Sequence, residues 1–179
     1  MAGIYTVSEI RDAYCDLENP DPKFLDDLIW HIENDEKPCR AISVAADFAL
    51  LEAAPYIVRH LNHSDSYERQ FAASHLSRLR LPEYAGHIYE MAKADQNRGS
   101  RDMAIFSLRL LIDLVDRDMQ EKIAELMLES IMLHTTIKTA YDSILHVINE
   151  KYEVGKLLPM YPDFVDLEKV QKFRIKYNI

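Results

Sequence analysis

His60 and His63, with Asp65 two residues on, make the best metal-binding spacing in this 179-residue sequence. On one helical turn, residues three apart share a face, and two imidazoles with a carboxylate could hold a divalent ion. The helix carrying His60 is expected to end near Asn62, however, which leaves His63 in a turn. A histidine at a helix C-terminus is also favourable by itself when protonated. No metal or other cofactor is therefore expected. The sequence contains no metalloprotease, phosphate-loop, nucleophile-elbow or Cys-x-x-Cys pattern. Carboxylates are plentiful, but none stands isolated among aromatics in the way that raises a pKa for acid–base work. Cys15 and Cys39, the only cysteines, are expected to be free thiols in a reducing cytoplasm. The reading is a chain without catalytic residues.

The same carboxylates form stripes that suit a partner better than a reaction. Glu121, Glu125 and Glu129 recur at i, i+4 and i+8, a spacing at which like charges cost about 0.2–0.5 kcal/mol per pair. Glu83, His87 and Glu90 occupy the corresponding helix one repeat earlier, and Asp26, Trp30 and Glu33 form a third stripe. Glu9, Asp12 and Asp16, with Asp26 and Asp27, add an acidic N-terminal end. Trp30 is the single tryptophan. It either anchors a partner, as buried tryptophans do at interfaces, or packs on a neighbouring helix. The Glu stripes are likewise either a docking face or a solvated one. The net charge is −9, with twelve acids against four bases in residues 1–52, near-balance in 53–150, and a basic excess in 151–179. Such a surface repels nucleic acid and anionic lipid and attracts a basic protein.

The elements that must carry these residues are helices. Four glycines leave few positions for the tight turns of a sheet. Thr6 and Glu9 are spaced as a capping box opening a helix with Ile10, Ala13, Tyr14 and Leu17 on one face. A second helix is expected from about Pro22 to Glu33, with Phe24, Leu25, Leu28, Ile29 and Ile32 inward. From Pro38 the chain repeats. Ile42, Ala46, Ala49, Val58 and Leu61 align at an offset of 30 with Ala72, Leu76, Leu79, Ile88 and Met91. A third copy follows at 32 in its first helix (Ala104, Leu108, Leu111) and 35 in its second (Ile123, Leu126). Such periods mark a helical solenoid. Gly86, after Ala85, reads as a close-packing position rather than a ligand site. Further helices are expected over residues 137–148 and 164–173, the latter ending in Lys169, Lys172, Arg174 and Lys176. One domain is expected over 1–179: a cap hairpin at 1–37, three repeats at 38–131, and cap helices at 132–179. No apolar run is long enough to span a membrane. The first residues lack the pattern of a secretion signal, and Ala2 excludes simple myristoylation.

The repeats resemble HEAT repeats in their bacterial HEAT-like form. The likeness lies in the Arg-x-x-Ala-x-x-x-Leu-x-x-Leu run at Arg69/Ala72/Leu76/Leu79 and at Arg101/Ala104/Leu108/Leu111, and in the second-helix start Ala54-Pro55-Tyr56-Ile57. It covers about residues 38–131. The first copy departs from it, since Asp47 stands seven residues after Arg40, so its register must be shifted. The resemblance implies an all-α, right-handed α-α superhelix of about five hairpins with atypical capping helices, whose second helices line a concave acidic trough. HEAT-like alkylpurine DNA glycosylases carry a basic cleft tracking phosphates, which this charge pattern does not supply. In size, acidity and lack of motifs the chain looks like helical-repeat immunity proteins that mask a basic toxin such as a nuclease. The alternative is a scaffold docking a helix or peptide in its groove. The expected binding residues are Asp26, Trp30, Glu33, Glu83, His87, Glu90, Glu121, Glu125 and Glu129.

Overall fold

The computed structural model describes residues 4–16 and 20–132. The expected helices at 137–148 and 164–173, and nearly all of the C-terminal cap, lie outside the described residues. Among the described residues there are eight α-helices, short 3-10 segments and no strand: α1 (Val7–Asp16), α2 (Lys23–Asn34), α3 (Cys39–Asp47), α4 (Ala54–Ile57), α5 (Ser66–Arg78), α6 (Ala85–Ala94), α7 (Arg98–Leu108) and α8 (Arg117–Met132). The chain divides into two compact units, Met1–Arg80 and Leu81–Ile179.

In the first unit α1 packs on α2 and α3, α2 on α3 and α4, and α3 on α5. Ile10, Leu28, Ile32, Ile42, Ile57 and Leu76 are fully buried there. Small side chains at the α3 and α5 contact (Ala41, Ala45, Ala72 and Ala73, all buried) let the helices approach closely. In the second unit α6 packs on both α7 and α8, and Ile88, Leu108, Leu111, Ile112 and Ile123 are buried. Within the units, α1 meets α2 and α3, α2 meets α3 and α4, α4 meets α5, and α7 meets both α6 and α8.

Helix ends are made by the residues expected to make them. The Thr6 N–H and hydroxyl donate to Glu9 Oε2 at 2.7 Å each, and the Glu9 N–H donates to Thr6 Oγ1 at 3.3 Å, a closed capping box. The two repeats carrying the Arg motif share a further device. Asp65 caps α5 by accepting from the Tyr67 N–H, and Asn97 caps α7 by accepting from the Ser100 N–H. Arg69 Nη1 donates to the carbonyls of His63 (2.7 Å) and Ser64 (3.0 Å). Arg101 Nη1 does the same to Asp95 (2.6 Å) and Gln96 (3.3 Å). The repeated arginine is therefore a clamp on the turn before its own helix, a role that its exposure-prone chemistry does not advertise.

The first repeat is where the register differs from the one expected. Ala49 is exposed, with φ of 51°, so it cannot match buried Leu79. It matches Arg80, whose φ is 56°. The offset is 31, which pairs Ala41 with Ala72, Ala45 with Leu76, and Ile57 with Ile88, buried residue on buried residue. Ala49 ends α3 in a left-handed turn closed by the Leu50 N–H donating to the Ala45 carbonyl at 2.8 Å. The offsets of 32 and 35 in the third copy hold: Ala104, Leu108, Leu111, Ile123 and Leu126 are all buried.

Candidate functional site

The expected binding residues fall into two clusters, one in each unit. On α2, Asp26 is exposed and Trp30 is half-buried, its ring edge-on to His31 at 5.2 Å between centroids. Glu33 is not a free acid: Arg59 Nη1 reaches it at 2.6 Å, and the Arg59 guanidinium sits over the Tyr56 ring at 5.2 Å. Because α2 packs on α4, an arginine following α4 can cross to α2. This face is mixed in charge and aromatic, where the stripe pattern suggested an acidic one.

The second cluster keeps its charge. Glu83 at the entry to α6, and His87 and Glu90 along it, are exposed, with the Tyr84 and His87 rings 6.3 Å apart. None of the described ion pairs takes Glu83, Glu90 or Glu125. On α8, Glu125 is exposed, while Arg117 approaches Glu121 at 3.4 Å across one helical turn. The side chain of Glu129 lies outside the described residues. The helices are neighbours: a Cβ built on Gly86 would stand 4.0 Å from Met119 Cε. That is ordinary van der Waals contact, so Gly86 is not required by close packing as its position suggested. Burial foremost, and then the Glu83 charge, push the Tyr84 hydroxyl above its ordinary value, so it stays a neutral hydrogen-bonding group.

The remaining candidates are occupied locally. His63 Nδ1 accepts from the Asp65 N–H at 3.1 Å while the Asp65 carboxylate caps α5. The His60 and His63 rings lie 5.8 Å apart. Burial, above all, holds His60 below its ordinary pKa, against a hydrogen bond to the Ile32 backbone. Among the described residues no group of three His, Cys, Asp or Glu is placed to hold a metal ion. Cys15 and Cys39 are both free. Burial foremost, and then the neighbouring Glu68 carboxylate, push the Cys39 thiol up, so it remains protonated and unreactive. Glu68 itself is 1% exposed, with Oε2 unpartnered.

Two residues have polar roles that the pattern did not foresee, Asp27, expected at the acidic N-terminal end, and His31. Asp27, grouped with the surface acids by its type, is buried, and its Oδ2 accepts from the N–H groups of Ile4 and Tyr5 at 2.9 Å each. His31, one turn on, reaches the Tyr5 carbonyl with Nε2 (2.9 Å) and Asp35 with Nδ1 (3.0 Å). Their i, i+4 spacing beside the buried pair Leu28 and Ile32 was the available signal. Comparison with protein-family models, with curated proteins and with solved structures finds no match to this chain.

Proposed function

We propose that this chain is a non-catalytic protein-binding module, built as a right-handed α-α superhelix of HEAT-like hairpins, that binds and blocks a basic protein such as a toxin nuclease. The observation that supports it is that Glu83 before α6, Glu90 on α6 and Glu125 on α8 are each exposed and stand outside every described ion pair. A nuclease needs a basic cleft for its phosphates, and a carboxylate surface competes for that cleft with matching charge. Among the described residues no helix is long and apolar enough to cross a membrane, and a cytoplasmic setting fits the reading.

The second reading is a scaffold or adaptor. It draws on the first unit, where Trp30 is half-buried and Tyr56 carries the Glu33-paired Arg59. Aromatic rings with neutralised charge suit an amphipathic helix or peptide more than a strongly basic surface.

Affinity capture from the native cell at low salt, with mass identification, tests the proposal. The recovered protein should be basic, and a Glu83→Lys/Glu90→Lys variant should associate with it at least ~10-fold more slowly at low ionic strength, with a flattened salt dependence. Several partners bound with weak salt dependence and lost on Trp30→Ala would favour the scaffold. Recovery of nucleic acid alone would defeat both readings.

A further inference from the structure

We draw no further inference here: the strongest candidate, the cleft of about 670 Å³ in the first unit where the start of α1 (Thr6, Ser8) meets the start of α3 (Lys37, Cys39, Arg40), carries nothing, because it rests on two helix N-termini and a lone cysteine, and the unpartnered buried oxygen of Glu68, which lies against Cys39, is not among its walls.

Discussion

The segments 49–65 and 80–97 do the same job in successive repeats and are built differently. Each begins at a left-handed residue, Ala49 or Arg80, and passes through a short 3-10 turn into a second helix that buries one isoleucine completely, Ile57 or Ile88. Each ends in a turn gripped by an arginine, Arg69 or Arg101. Between these points α6 is a regular helix of ten residues, whereas α4 is four residues of α-helix followed by five of 3-10, Val58–Asn62. The first segment is one residue shorter between its helix start and the next N-cap, Ala54 to Asp65 against Ala85 to Asn97. A 3-10 helix rises about 2.0 Å per residue against about 1.5 Å for an α-helix. Five such residues gain about 2.5 Å, more than the rise of the missing residue. Composition assists: Ile57 and Val58 are β-branched, while α6 is rich in the helix formers Ala, Glu, Met and Lys. Charge diverges too, because Arg59 reaches back to Glu33 while Glu83 and Glu90 are left to solvent. A repeat can therefore keep its anchors and change both the winding and the electrostatics between them.

The anchors give the largest expected effects. Ile57→Ala and Ile88→Ala should each destabilise by about 3 kcal/mol in guanidinium denaturation, since both side chains are fully buried. A cost below ~1 kcal/mol at Ile57 alone would break the equivalence and mark the 3-10 segment as loosely packed. Next come the clamps: Arg69→Ala and Arg101→Ala should cost about 1–2 kcal/mol each, by loss of a charged donor shared between two carbonyls. Unequal costs would show that only one turn depends on its arginine.

Two opposite changes at glycine-related positions should both stabilise. Ala49→Gly relieves a left-handed alanine, and Gly86→Ala adds a Cβ that meets only Met119 Cε at 4.0 Å. Each is expected to gain about 0.5–1 kcal/mol in thermal or chemical unfolding. A destabilised Gly86→Ala would restore the close-packing role for that glycine. Arg59→Ala should change stability by less than ~1 kcal/mol, because the pair with Glu33 is largely exposed. It should also make the first unit's face acidic and speed association with a basic partner, removing the electrostatic half of the comparison.

The smallest expected effect is on pH dependence. His60 and His75 are both held below the ordinary histidine value of 6.5, by burial first, against weaker hydrogen bonds that the rings make to the Ile32 and Phe71 backbone. A histidine with a depressed folded-state pKa takes up its proton more readily when unfolded. Its stabilising contribution is therefore full above 6.5 and is lost as pH falls below that value. Stability of the first unit should drop on acidification through that point, and His75→Gln should reduce the slope.

Helix identity was legible because amphipathic spacing and capping residues act within one or two turns. Thr6 with Glu9, the inward Leu28 and Ile32, and the offsets in the third copy all follow from local rules. The register of the first repeat was not, because hydrophobic matching at 30 and at 31 looks equally good when alanines dominate. What separated them was the backbone of Ala49, which no side-chain pattern encodes. The candidate site divided in the same way. Its residues could be named from spacing along single helices, yet which carboxylates remain charged depends on residues far apart in sequence.

By itself the sequence determined that the described chain is helical, where its helices begin, and that it is acidic, since periodicity, capping and composition are properties of neighbouring residues. Only the tertiary structure decided that Glu33 is neutralised by Arg59, that Asp27 is a buried fastener for Ile4 and Tyr5 rather than a surface charge, and that the chain after α4 winds as a 3-10 helix over Val58–Asn62. The first two are settled by distances between residues far apart in sequence, and Coulomb and hydrogen-bond energies depend on that distance rather than on position along the chain.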